Sequence, residues 1–390
     1  MKFIKRFFMW LLLVLGVLVV LLLVTGNKHI LSGLTKTYLK GVNRPDIDDM
    51  GDHALRVVPA GSGEPWAEKY LANATALAKP FLRDWEQYGT TALLVIVDDT
   101  IRYEQYWEGT HRNTLSNSFS MAKSFTSMAI GAAFADGSMA GPREPLGSYI
   151  AQYATGENAA LKLEDLLTMT SGIDFGESYV NPFGYQARAY FGDDLAGNTL
   201  AFGVCRTPLT QWKYEGGNTV LLGMALQEAT GKHLATYFSE KIWSRIGAEQ
   251  DAYWNLDHED GLEKAFSAFY ATARDFARIG QLMLDSGEWK GREVLPREYF
   301  RAAMTPVNVP DVDGAVVEHY GWQWWLARHE GHPFASARGM RGQYIVALPH
   351  LNAVIVRLGH ERPDVYIDHV PLDMQWYIKF TTSIVEELSK

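Results

Sequence analysis

A chain of 390 residues has room for one large domain or two of moderate size, and 47% hydrophobic with 21% charged residues is a globular balance rather than a disordered one. The formal net charge is −9 and no block of Lys and Arg lies beyond the extreme N-terminus, which leaves nucleic acid without an electrostatic foothold. Cys205 is the only cysteine, so an intrachain disulfide and a thiolate metal cluster are both excluded.

The chain opens with three positive charges, Lys2, Lys5 and Arg6, followed by an unbroken apolar run from Phe7 to Val24. Eighteen such residues reach the lower edge of what spans a bilayer as a helix. The basic flank should stay cytoplasmic, carrying everything after Gly26 across the membrane. A secretory signal cut near Val24 to Gly26 is the competing reading; the run is long for a signal core, which favours a retained anchor. The expected location is therefore a bacterial inner membrane with the body periplasmic, or secreted if the segment is cleaved. Residues 27–65 look like an irregular stem or arm, with Pro45, Asp46, Asp48, Asp49 and Gly51 close together. Residues 66–390 should form the main domain, with a mostly helical insertion over about 138–265.

Trp66 to Tyr88 reads as an amphipathic helix with Tyr70, Leu71, Ala74, Leu77, Phe81 and Trp85 on one side. Thr91 to Val97 and Ile101 to Trp107 are rich in β-formers and separated by Asp98, Asp99 and Thr100, a hairpin signal. Asn117 to Gly137, NSFSMAKSFTSMAIGAAFADG, predicts a buried helix with Asn117 or Ser118 as N-cap and Gly137 as C-cap. Leu161 to Met169 is a short helix stopped by Thr170-Ser171-Gly172, and Ser178 to Asp194 is a loop dense in Tyr179, Tyr185 and Tyr190. Those tyrosines serve equally as packing residues or as a pocket wall. Asn218 should open a helix ending at Gly231. Tyr320 to Ala327 and Gln343 to Val356 read as strands, the second broken near Pro349 to Asn352, and Asp373 to Ser389 as a closing helix. Strands near both ends imply one sheet assembled from both ends of the chain.

The chemistry concentrates in Ser120 and Lys123. Three residues apart on a helix, they share a face, so hydroxyl and amine can meet. Serine is a weak nucleophile until a neighbouring base takes its proton, and burial of a lysine disfavours its charged form. The positive end of the helix would lie where an oxyanion forms in acyl transfer. Tyr214, ahead of the flexible Gly216-Gly217 pair, offers a phenol able to carry a proton beside a cation. Other constellations fail. There is no G-x-S-x-G elbow and no H-E-x-x-H, and His258-Glu259-Asp260 lacks a second histidine at ligand spacing, so no metal or cofactor is expected.

Three stretches resemble the serine β-lactamase and penicillin-binding protein superfamily, in the class C β-lactamase-like branch with its esterases and 6-aminohexanoate-oligomer hydrolases. They are SFSMAKSFTSMAIG from Ser118, EDLLTMTSGIDFGE from Glu164 and KYEGGNTVLLGMALQEATG from Lys213. A weaker fourth, ARGMRGQYIVALPHLNAVIVRLG from Ala337, occupies the place of the family's Lys-Thr-Gly strand and the strand after it. The resemblance implies an α/β (α+β) β-lactamase-like fold, an antiparallel sheet flanked by helices plus a mostly helical subdomain, behind the N-terminal transmembrane helix. It also implies Ser120 as acyl-accepting nucleophile, Lys123 and Tyr214 as proton-shuttling partners, and the backbone N–H groups of Ser120 and Gln343 as the oxyanion hole. Tyr179, Asn218, Arg341 and Gly342 are candidate substrate contacts. Two departures stand out: Gly216 replaces the polar residue two positions after the tyrosine, and Met340-Arg341-Gly342 replaces the family's cation-hydroxyl-Gly triplet. The second argues against efficient β-lactam hydrolysis and for an ester, amide or peptide-like small-molecule substrate. The alternatives are a cell-wall D-alanyl peptidase, a β-lactamase, or a membrane-anchored ligand sensor of the same fold without turnover.

Overall fold

Every residue of the strand Thr90–Val97 is buried, as expected of a strand covered on both faces. The computed structural model, which describes residues 2–390, places it within a seven-stranded sheet. In chain order the strands are β1 (Ala67–Glu68), β2 (Thr90–Val97), β3 (Thr100–Tyr106), β4 (Trp325–His329), β5 (His332–Gly339), β6 (Gln343–Leu348) and β7 (Ala353–Gly359). They lie in the order β4-β5-β6-β7-β2-β3-β1, antiparallel except for β1 alongside β3. The sheet is thus built from both ends of the chain, joined where β7 pairs with β2 and Ile355 faces Val95. The hairpin β2–β3 turns on Asp98 and Asp99, both with positive φ (50° and 56°), the backbone that matches strand twist in a two-residue turn.

Alternation decides which residues cover which face. Leu94, Ile96, Ile345, Val354 and Val356 point into the larger core, whereas Leu93, Val95, Tyr344, Val346 and Ile355 point into the smaller one. On the larger side lie the helices α3 (Met121–Ala135), α5 (Gly216–Thr230) and α6 (Ala273–Leu284). A Cβ at Gly280 of α6 would collide with Val354, so this glycine lets the helix sit directly on the sheet. On the smaller side, Tyr377 and Phe380 of α7 (Leu372–Leu388) close around Trp85, with ring centroids 5.6 Å and 5.2 Å away. A second sheet of four short strands, ordered Leu55–Val58, Ala252–Asn255, Phe269–Ala271 and Ser116–Asn117, flanks the turn that carries Ser120.

Several expectations need correction. Trp66 to Tyr88 is not one helix: its start pairs as β1, and Pro80 separates Ala74–Ala78 from Leu82–Gln87, since proline has no N–H to continue a helical ladder. Ser178 to Asp194 contains a helix, α4 (Tyr185–Phe191). Residues 27–65 are more ordered than their composition suggests, contributing α2 (Lys28–Lys36) and the edge strand Leu55–Val58. Tyr320 bridges to Trp325 as an isolated pair, and β4 proper starts only at Trp325. At the N-terminus, α1 (Lys2–Val24) is exposed along its length and is long and apolar enough to cross a membrane, about 34 Å at 1.5 Å per residue.

Candidate active site

Helix α3 begins at Met121 with Ser120 as its N-cap, not Asn117 or Ser118 as expected. Asn117 ends a strand instead, and its side-chain oxygen accepts from the N–H of Phe119 at 2.8 Å. Phe119 has φ 45°, a conformation that costs energy in a non-glycine residue and must be held by its surroundings. Asn117 Nδ2 donates to Asp49 at 3.0 Å and to Tyr270 Oη at 3.1 Å, while the Tyr190 hydroxyl donates to the other Asp49 oxygen at 2.9 Å. Burial pushes the Asp49 carboxyl above its ordinary value, and hydrogen bonds from the two tyrosines and Asn117 pull the other way.

One turn into α3, buried Lys123 places Nζ 3.0 Å from Ser120 Oγ and donates to the carbonyl of Phe266 at 3.1 Å. The same Nζ sits over the Tyr214 ring, 4.7 Å from its centroid. Tyr214 is positioned by an aromatic stack: Trp325 at 5.4 Å, Tyr320 at 6.0 Å and Trp212 at 6.4 Å. Side chains from three distant stretches thus meet at one amine. The N–H groups of Met121, Ala122 and Lys123 turn back onto the carbonyls of Ser118, Phe119 and Ser120 at 3.2, 3.1 and 3.1 Å, and the positive end of α3 lies at Ser120.

Ser120 opens into a cavity of about 550 Å³. Tyr179 and Tyr190 line it, so the tyrosine-dense segment is a wall, whereas Tyr185 turns inward against Phe175 and Phe202. Of the remaining expected contacts, none lines the cavity. Asn218 is buried with its amide on Met169 Sδ at 3.4 Å. The Arg341 guanidinium is buried against the arm, donating to the carbonyls of Pro45 at 2.9 Å and His360 at 2.7 Å, with Asp46 at 3.4 Å. Gly342, at φ +83°, packs beneath the Arg357 guanidinium. Gln343 is fully buried, its amide bonded to the Met340 carbonyl at 3.0 Å and to Gly359 at 2.7 Å. The residue of this turn that does line the cavity is Met340. Gly339 explains how: a Cβ there would strike the Ser118 carbonyl, so only glycine lets β5 end against the turn that carries Ser120.

Sequence reasoning missed Met340, Ser267 and above all the arm. His29, Ile30, Gly33 and Leu34 of α2 form one wall of the cavity, and no motif announces them. The arm is fastened below as well. Lys264, fully buried, lies 2.9 Å from His53 Nδ1, with Lys36 at 3.1 Å from the same nitrogen and the Tyr190 ring 5.0 Å from the Lys264 amine. Burial, reinforced by Lys36, pulls the Lys264 amine down to about 7. Burial and the neighbouring lysines pull the His53 imidazole down to about 2.

The beta-lactamase family model matches residues 81–366. A 6-aminohexanoate-dimer hydrolase of Paenarthrobacter ureafaciens is 26% identical over 302 residues, covering 70% of this chain and 73% of that enzyme. Among solved structures, a Bacillus anthracis protein provisionally described as a 6-aminohexanoate-dimer hydrolase superposes with a TM-score of 0.73 at 22% identity, covering 88% of this chain and 93% of its own. A family VIII carboxylesterase gives 0.63 at 16% identity, covering 82% and 99%. With a family match over most of its length and the same fold in these structures, the chain belongs to the beta-lactamase family.

Proposed function

We propose that the protein is a serine hydrolase that cleaves esters or amides through an acyl-enzyme on Ser120. The observation that carries this reading is the 3.0 Å approach of Lys123 Nζ to Ser120 Oγ at the wall of a cavity, with the Tyr214 ring against the same amine. With the amine neutral, the hydroxyl donates to Nζ, which takes the proton as Oγ bonds to the substrate carbonyl carbon. The resulting oxyanion rests on the N–H of Ser120 at the positive end of α3 and on the N–H of Met340, which replaces Gln343 as second donor because Met340 is the one at the cavity. Tyr214, beside Lys123, passes the proton to the departing alkoxide or amine, and the same pair then activates water to release the acid.

Hydrolase relatives support the reaction class, and the amide-cleaving and ester-cleaving names among them match the breadth of the proposal. Arg341, held by the arm, gives no support for a carboxylate-recognition site of the β-lactam kind. We also read α1 as a retained membrane anchor, which places the site on the far side of the membrane from the basic residues at its start. The test is a panel of p-nitrophenyl esters, linear amides and a cephalosporin with wild type and Ser120→Ala, plus labelling with a serine-reactive phosphonate. Steady ester or amide turnover that vanishes in Ser120→Ala, with label on Ser120, is the expected result. Full activity in the alanine variant, or label elsewhere, removes the nucleophile assignment. A burst without turnover would indicate a sensor.

A further inference from the structure

The wall of the Ser120 cavity is the continuation of the helix that ends at Val24. Only residues 25–27 separate α1 from α2, and His29 and Ile30 already line the cavity. The link folds back tightly, the Asn27 N–H on the Leu22 carbonyl at 2.8 Å and the Ile30 N–H on the Asn27 carbonyl at 3.1 Å, so the wall starts at the end of α1. The interfacial layer on each side of a bilayer is about 5–8 Å deep, so a membrane-inserted α1 sets the mouth at the headgroup level. The opposite wall is tied to the same point. His29 Nε2 lies 2.8 Å from the Pro182 carbonyl, and Arg188 donates to the Asn27 side chain at 2.7 Å. Around the mouth a cluster of large apolar and aromatic side chains faces outward, Leu34, Tyr38, Leu39, Val180 and Phe183 being 41%, 63%, 78%, 91% and 56% exposed, while Arg44 on the rim is paired with Glu361. Exposed apolar clusters of this kind mark contact with apolar ligands or membranes. The same patch meets the cavity, since Leu34, Tyr38 and Val180 also line it.

We propose that the site takes its substrate from the bilayer: an amphiphilic ester or amide whose acyl chain lies along Leu34 and Val180 while its carbonyl reaches Ser120. This rests on the acyl-transfer reading above and on α1 being retained as a membrane helix. The step is that already written: the serine oxygen–acyl carbon bond forms, the bond to the alcohol or amine breaks, and the leaving group takes the serine proton. What the arm adds is selection. An acyl chain leaving the bilayer follows Leu34, Tyr38 and Val180 inward, while the head that bears the scissile bond sits near Ser120.

The experiment uses the full chain reconstituted in phosphatidylcholine vesicles, with p-nitrophenyl acetate, butyrate and octanoate. Each methylene buried on binding is worth about fourfold, so partial burial predicts at least about a tenfold rise in kcat/KM from acetate to octanoate. Leu34→Asp and Val180→Asp, both at exposed positions, should collapse the octanoate-to-acetate ratio; because both esters are read on the same protein, a fraction of misfolded molecules does not alter that ratio. A flat chain-length profile, or a ratio untouched by both substitutions, overturns the proposal. The source is tested with 4-methylumbelliferyl palmitate: hydrolysis should be fast when ester and protein share vesicles and slow when they start in separate ones, and equal rates overturn the membrane source. Ser120→Ala separates the two failures. Loss of all hydrolysis in that variant beside a flat wild-type profile sinks only the amphiphile assignment, whereas persisting hydrolysis sinks the acyl-transfer reading and this one with it.

Discussion

Lys264 and His53 stand 211 positions apart in the chain and meet at 2.9 Å, an amine-to-imidazole contact that fastens the arm under the cavity. The residues around them reach the turn that carries Ser120 in two steps, since Tyr190 sits over the Lys264 amine and hydrogen-bonds Asp49, which in turn binds Asn117.

Stability should fall on acidification through this contact. His53 is held near 2 in the fold and takes its ordinary value near 6.5 when unfolded, so between those values the unfolded chain binds more protons. Stability therefore rises with pH across that window and is lost as pH falls below about 6.5, with a slope of at most about 1.4 kcal/mol per pH unit from this group. Lys264 acts in the same direction higher up, from its folded value of about 7 to its ordinary value near 10.5. Urea unfolding at successive pH values should show a shallower slope between pH 4 and 6.5 in His53→Gln, which keeps an acceptor for the two amines but does not titrate. An unchanged slope would remove the arm from the acid response.

Lys123→Met should lower kcat by about 10²–10⁴-fold, the usual contribution of a positioned base. Tyr214→Phe keeps the ring over the amine and deletes only the hydroxyl, so a comparable fall in kcat with little change in KM identifies proton transfer rather than packing. Retention of most of the rate in either variant assigns that side chain a structural role.

The second oxyanion donor can be tested by removing one hydrogen. Met340→Pro deletes the N–H, and Gly339 before it has ψ 161°, the extended backbone that a residue preceding proline adopts. A fall in kcat of about 10²–10³-fold is expected, with Met340→Leu near wild type and both variants showing native circular dichroism. Equal activity in the two variants returns the role to another N–H.

Arg274 offers a stability test away from the chemistry. Its guanidinium, 3% exposed on its side chain, binds Glu104 at 2.5 Å and 2.7 Å and Glu68 at 2.7 Å, tying the start of α6 to β3 and β1. Burial alone would raise the Glu104 carboxyl, but hydrogen bonds from Arg274 and two tyrosines hold it below its ordinary value. Arg274→Met strands that carboxylate and should cost about 3–5 kcal/mol in chemical denaturation. Adding Glu104→Gln should recover part of the loss, because the uncompensated charge is gone. A double variant less stable than the single one would contradict this account.

Local pattern determined a good deal of this protein. The β-former content of Thr91 to Val97 and Gln343 to Val356, the aspartates at the hairpin turn and the three-residue spacing of Ser120 and Lys123 are short-range features, legible without knowledge of partners. The charge and apolar run at the N-terminus are equally local. The helix expected over Trp66 to Tyr88 failed because Pro80 and the pairing of Ala67–Glu68 with β3 outweigh a periodic apolar face.

Only the tertiary structure decided where the pieces meet. Met340 rather than Gln343 faces the cavity because Gly339 ends β5 against the Ser118 carbonyl and Gln343 begins β6 with its amide turned onto Gly359, a register set by strand pairing. Arg341 spends its guanidinium on Pro45 and His360, partners some 300 positions away on one side and 19 on the other. Helix α2 became a cavity wall because Lys36 at its end and buried Lys264 meet at the His53 imidazole only when the arm is docked. Spacing along the chain carries information about neighbours within a few residues; contacts between distant segments are fixed by packing and by the pairing of buried polar groups, and these exist only in the folded molecule.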